Sequence, residues 1–260
     1  MSVDQEGFIG VVGSRPFQDE FRSVIEDVQS RLSPNAFPLV HSVYLYGSVA
    51  TGQAVPGRSD LDISLILRKQ PTNQERTMIE AVRRQVESAH TGVSKIDFDI
   101  GLLSEISSAD PSMAWRYWLR HHCRCVAGED LAEGILLFRP SRTLALAVNG
   151  DFEQVLRKYR NALLSAQSQE AALRLIREAS RKLIRSTNVL RSEADLGWPE
   201  SLEEYAVNFE NLFPMHGDEL NYFLEQAQKP EADPASFACR MQTFVGWMVG
   251  AVRDQSLRGN

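Results

Sequence analysis

Cysteine is scarce, with only Cys123, Cys125 and Cys239 in 260 residues. So small and odd a number supports no disulfide framework and agrees with a reducing compartment. No stretch approaches the roughly 20 apolar residues of a bilayer crossing. Met1 to Glu6 carries two acids, with neither the basic cluster nor the apolar run of an export signal. The expectation is a cytoplasmic protein with no membrane partner. Basic residues are outnumbered, 28 Lys and Arg against 34 Asp and Glu, for a formal charge of -6. That balance argues against a broad electrostatic footprint for nucleic acid and favours a neutral or cationic small partner. Internal repeats and low-complexity tracts are also missing. What remains is ordinary globular composition, 43% hydrophobic and 24% charged, in a chain long enough for two modest domains or one large one.

Helix and strand patterns alternate in the first half. Phe17, Phe21, Val24, Val28 and Leu32 recur at helical steps and stop before Ser33-Pro34. Val43 to Tyr46 reads as a short buried strand broken by Gly47-Ser48, and Val49 to Ser59 has room for one helical turn before a loop. Leu61 to Leu67 alternates as a strand, Asn73 to Ser88 is a second amphipathic helix, and Lys95 to Leu103 is again strand-like. From about Ser141 the patterns are helical: Phe152 to Leu164, Glu170 to Leu190, Ser201 to Leu212 and Phe237 to Val252. The expected architecture is an α/β domain over residues 1–139, a small mixed sheet flanked by helices, followed by an all-helical domain over residues 140–260, with the site in the cleft between them.

Side chains two apart on a strand share a face, which places Asp60, Asp62 and Ser64 on one side of the second strand and Leu61, Ile63 and Leu65 on the other. Carboxylates roughly 6.6 to 6.8 Å apart along a strand can converge on a hard cation such as Mg²⁺. Asp97 and Asp99 repeat the device on the next strand. An Asp-x-Asp pair alone is common on solvated strand faces and carries little. The Gly47-Ser48 turn adds to it, since glycine lets backbone N–H groups approach a phosphate and serine supplies another donor. Eleven residues, Val49 to Ser59, separate the two features. Phosphoryl-type transfer needs both, cations to neutralise a triphosphate and donors to grip the leaving group.

Leu45-Tyr46-Gly47-Ser48 followed by Ser59-Asp60-Leu61-Asp62-Ile63 resembles the signature of the DNA polymerase β nucleotidyltransferase superfamily. Lys95-Ile96-Asp97-Phe98-Asp99-Ile100 is similar to the third-acid strand of the bacterial antibiotic nucleotidyltransferases such as the kanamycin type, and the chain resembles the streptomycin and spectinomycin adenylyltransferases in length and in having a helical C-terminal domain. The resemblance implies in-line attack by a substrate hydroxyl on the α-phosphorus of a nucleotide, with ATP as donor and two Mg²⁺ ions held by Asp60, Asp62 and Asp97. It makes Asp97 the general base, with Asp99 on the same face as the alternative, and gives Gly47 and Ser48 to the nucleotide. The expected acceptor is a small hydroxylated molecule such as an aminoglycoside; a protein, an RNA end, or a nucleotide-binding regulator without turnover are the other readings. Two departures stand out: Asp97 to Gly128 is short for an antibiotic-contacting region, and Glu200 stands where a basic phosphate ligand is expected.

Arg177, Arg181 and Arg185 are spaced by four and form a basic stripe. A solvated helix face is the common meaning of such a run, but the similarity around Ser180-Arg181-Lys182 assigns Arg181 to the triphosphate. His121 to Cys125 tempts a zinc assignment and is instead read as a strand whose adjacent histidines face opposite sides. Trp118 and Tyr205 are candidates to stack on a base or sugar, although aromatic residues usually serve a core. No pattern specifies an oligomeric state.

Overall fold

The structure is a computed structural model that describes residues 3–258. The chain forms two compact units, one spanning Ile9–Phe138, the other running from Arg139 onward and taking in the segment that ends at Phe8.

The first unit is built on a four-stranded mixed sheet. Its elements are α1 (Asp19–Leu32), β1 (Val40–Tyr46), α2 (Gly47–Thr51), β2 (Leu61–Leu67), α3 (Asn73–Ala89), β3 (Ile96–Leu102), α4 (Leu103–Ser107), α5 (Met113–His122) and β4 (Arg124–Gly128). The sheet order is β3-β2-β1-β4; β1 pairs antiparallel with β2 and β4, and β2 pairs parallel with β3. A parallel pair needs a crossover, and α3 supplies it, started by a capping box in which Thr72 and Glu75 satisfy each other's backbone N–H groups.

Both faces of the sheet are covered. Phe21, Val24, Ile25, Val28 and Leu32 of α1 and Ile79 and Val86 of α3 pack with Val43, Leu45, Leu61, Ile63 and Leu65 on one face. On the other, Tyr44 and Ile66 lie with Leu119 of α5, Cys123 and Ile106. Ser64 is on this second face and fully buried; the Trp118 indole N–H donates to its hydroxyl at 3.0 Å. Every residue of β2 after Asp62 is therefore dry, and the polar face expected from alternation is open to solvent only at the Asp62 end.

One expectation needs correcting. His121 and His122 are the last residues of α5, and the strand begins only at Arg124. The buried His121 ring spans a gap, with Nδ1 2.7 Å from the Gly10 carbonyl oxygen and Nε2 accepting from the Phe138 N–H at 3.1 Å. Its lowered pKa, caused first by burial, marks a satisfied core histidine. Cys123 is buried beyond the helix end and Cys125 is on β4.

The second unit is helical: α6 (Arg142–Asn149), α7 (Phe152–Leu164), α8 (Gln169–Ser186), α9 (Leu202–Leu212), α10 (Gly217–Gln228) and α11 (Pro234–Arg258). Its core gathers Ile176, Leu183, Ile184, Phe223, Phe237 and Met248. The last turn of the expected Glu170 to Leu190 helix tightens to 3-10 geometry over Thr187–Leu190. Arg139 ties the N-terminal segment to this unit, with its guanidinium over the Phe8 ring at 4.1 Å. No helix of the described residues is long and apolar enough to cross a membrane.

Candidate active site

Strand register assembles the acidic cluster. Asp62 on β2 and Asp97 on β3 are direct partners in the parallel ladder, and Ser64 and Asp99 are the next pair on the same face. Asp60 stands one residue before β2, where Leu61 N–H bonds the Lys95 carbonyl at 2.9 Å and Ser94 N–H the Ser59 carbonyl at 3.0 Å. The two strand entrances are thus zipped together at the acids. The Ser94 hydroxyl donates to Asp60 Oδ1. Lys95 Nζ bridges two of the acids, 2.6 Å from Asp97 Oδ2 and 3.5 Å from Asp60 Oδ2.

The Gly47 turn sits over the same cluster. Tyr46, the last residue of β1, pairs with Asp62. Gly47 then takes φ +69°, a left-handed backbone that glycine adopts without penalty. A Cβ at this position would collide with Asp62 Oδ2. Ser48 follows in the first turn of α2, half-buried.

Crowding of like charge shows in the acids themselves. Asp62 is pushed up to about 6, first by burial and then by the charges of Asp60 and Asp97. Asp99 is also raised, first by desolvation among the neighbouring side chains and then by the charge of Asp97, while the hydrogen bond from the Tyr46 hydroxyl pulls the other way. The donors are all oxygen, the chemistry that Mg²⁺ prefers, and a cluster that repels itself is eased by a divalent cation. Among the described residues no three His, Cys, Asp or Glu side chains are gathered as a ready-made metal cage; the cation that bridges Asp60 and Asp97 is the Lys95 ammonium. The donor set therefore fits Mg²⁺ in type, with Lys95 as the competing occupant.

Tyr46 and Lys95 lie inside the quoted motifs without a role assigned from them, Ser94 lies outside the motifs, and Trp118 is expected only to stack on a base or sugar. The clue to Lys95 is its spacing, since it is two residues before Asp97 and so shares its face. Trp118 donates to Ser64, packs edge-on against Tyr46 at 4.9 Å and stacks on His122 at 4.9 Å, which occupies the ring in a structural contact. Arg181 belongs to the helical unit, exposed on α8 together with Arg177 and Arg185. Lys182 is turned aside to Asn149 and Asp151 at 3.1 and 3.0 Å. Tyr205, also in the helical unit, has its hydroxyl pKa raised by burial.

Residues 22–109 match the family model described as nucleotidyltransferase domain. The matched span runs from within α1 past β3 and contains Gly47, Ser48, Asp60, Asp62 and Asp97. No curated protein matches the chain by sequence. Among solved structures, the fold is similar to that of spectinomycin adenyltransferase AAD(9) from Enterococcus faecialis, crystallised with ATP and spectinomycin. The TM-score is 0.57 at 13% identity, covering 89% of this chain and 98% of that one.

Proposed function

We propose that this chain is a nucleotidyltransferase of the DNA polymerase β type and transfers a nucleoside monophosphate from a nucleoside triphosphate to a hydroxyl of a small molecule, a reading supported by the nucleotidyltransferase domain match. The observation that carries the reading is the pairing of Asp62 with Asp97 across two parallel strands, directly beside a left-handed glycine turn. ATP is the proposed donor, and a polyhydroxylated aminoglycoside-type molecule the proposed acceptor, from the likeness to a structure that holds ATP and spectinomycin.

In the proposed reaction the acceptor oxygen attacks the α-phosphorus, the bond from that phosphorus to the bridging oxygen of the β-phosphate breaks, and pyrophosphate leaves. Asp97, about half exposed at the strand entrance, takes the proton of the hydroxyl as its oxygen attacks. Asp99 is the weaker candidate, because one of its oxygens already accepts from Tyr46. Asp60, Asp62 and Asp97 would hold two Mg²⁺ ions, which when bound neutralise the phosphates and polarise the phosphorus. Gly47 brings the start of α2 close to the phosphates and Ser48 adds a hydroxyl donor. Arg181 is proposed as a phosphate ligand on the strength of its sequence context alone. The −6 charge favours a cationic acceptor.

The test is pyrophosphate release with Mg²⁺ from each of the four nucleoside triphosphates, across aminoglycosides, proteins and RNAs. Turnover with an aminoglycoside and ATP is expected. Labelling of a protein or RNA instead would replace the acceptor, and tight nucleotide binding with no turnover on any acceptor would overturn the enzymatic reading. Asp60→Asn, Asp62→Asn and Asp97→Asn should each lower turnover by about two orders of magnitude or more while circular dichroism stays unchanged. Near wild-type activity in any of them removes that residue from the machinery.

A further inference from the structure

We infer that Lys95 is a built-in counter-ion of the acidic cluster, a positioning residue that must give way when a divalent cation binds and so sets the metal affinity of the site. This rests on the metal reading of Asp60, Asp62 and Asp97.

The backbone of Lys95 is held in the pairing of the two strand entrances, and its side chain reaches the acids from that anchor. Its carbonyl accepts from Leu61 N–H, and the neighbouring Ser94 N–H bonds Ser59. Strand alternation then directs the side chain to the face of Asp97. From that anchor Nζ reaches Asp97 Oδ2 at 2.6 Å and Asp60 Oδ2 at 3.5 Å, two oxygens that a metal needs. The side chain is 37% exposed, and a strongly hydrated ammonium on a four-carbon stem can turn to solvent at small cost.

Two effects then work against the metal. The ammonium occupies carboxylate oxygens, and it repels an incoming dication even after it has swung aside. A +2 and a +1 charge about 6 Å apart in a water-like medium change a binding constant by about tenfold. In exchange, the cluster has a counter-charge when no metal is bound, so three carboxylates can be held together at the entrance of β2 and β3. Lys95 thereby trades metal affinity for integrity of the empty site.

Lys95→Met keeps the stem and removes the charge. Mn²⁺ binding to the nucleotide-free full chain, read from the electron paramagnetic resonance of unbound Mn²⁺, should be about tenfold tighter in Lys95→Met than in wild type. Lys95→Arg, which retains the charge, should bind as wild type does. Without metal at low ionic strength Lys95→Met should melt lower than wild type, and saturating Mg²⁺ should close that gap. Equal or weaker Mn²⁺ affinity in Lys95→Met overturns the inference and leaves the metal reading standing. No Mn²⁺ binding to either protein at millimolar concentration overturns both.

Discussion

The Tyr46 hydroxyl at the end of β1 donates to Asp99 Oδ2 on β3 at 2.9 Å, reaching across β2. Among the described residues β3 is an edge strand that pairs only with β2, so this bond adds a tether to the strand that carries Asp97, besides those of Arg83 and Glu87 to the Ile96 backbone. Because Tyr46 also precedes Gly47, the tether links the glycine turn to the third acid. Tyr46→Phe should lower turnover by about ten- to hundredfold through misplacement of Asp97, with the KM for nucleotide changed less than about twofold. Steady-state kinetics check this; a loss confined to KM would show that the hydroxyl touches the nucleotide instead.

Asp62 carries a pH signature. Its carboxyl is pushed up to about 6 in the folded chain by burial and by Asp60 and Asp97, whereas an unfolded aspartate titrates near 3.9. Between those values the folded protein holds a proton that the unfolded chain releases. Stability present below this window is therefore lost as pH rises through about 6. Asp62→Asn should be more stable than wild type by about 1 to 2 kcal/mol at pH 7.5 in EDTA, after allowing for solvent screening. The difference should vanish near pH 3.5. Urea melts at the two pH values measure it, and an equal gap at both would contradict the assigned crowding.

Gly47→Ala combines two faults. The left-handed φ costs an L residue roughly 1 to 2 kcal/mol, and the new methyl collides with Asp62 Oδ2. Lower thermal stability and a loss of transfer of at least about tenfold are expected together. Gly52, also left-handed but with open space at its Cβ position, serves as the control: Gly52→Ala should show the stability loss with little effect on turnover.

Arg181→Ala should raise the KM for the nucleoside triphosphate by about five- to tenfold, the loss of one charge-assisted contact, and leave the melting temperature near wild type because the side chain is exposed. Arg177→Ala, on the same stripe, should change KM by less than about twofold. Equal effects of the two would mean a diffuse field, and no effect of either would remove the stripe from nucleotide binding.

Much of the acidic cluster was legible because β2 and β3 alternate apolar and polar residues at one end and pair in register, so Asp62 and Asp97 announce themselves by position. The Gly47-Ser48 break was equally plain, since glycine after a buried strand marks a turn. Three features were hidden for physical reasons. Ser64 reads as a surface residue but is buried, because the Trp118 indole satisfies its hydroxyl under α5. The segment through His121 and His122 reads as a strand because aromatic and paired-histidine residues obscure a helical period, while tertiary bonds to Gly10 and Phe138 decide the outcome. The spacing of Lys95 puts it on the face of Asp97, but no pattern tells an ammonium turned to water from one turned to two carboxylates. Helices α6 and α10 leave a weak sequence signal, since α6 spans only 8 residues and α10 opens on a glycine behind a proline turn.

The crossover through α3 has a consequence for how this chain tolerates change. Because neighbouring side chains on a strand face opposite ways, inserting a single residue between Lys95 and Asp97 would swing the third acid into the hydrophobic interior. On either side of α3 the chain is exposed at Gln70 and Thr91, where a change of loop length costs little closure entropy. Length variation among descendants of this sequence should accumulate around Gln70 and Thr91, while the few residues from Ser94 to Asp99 keep an unbroken count.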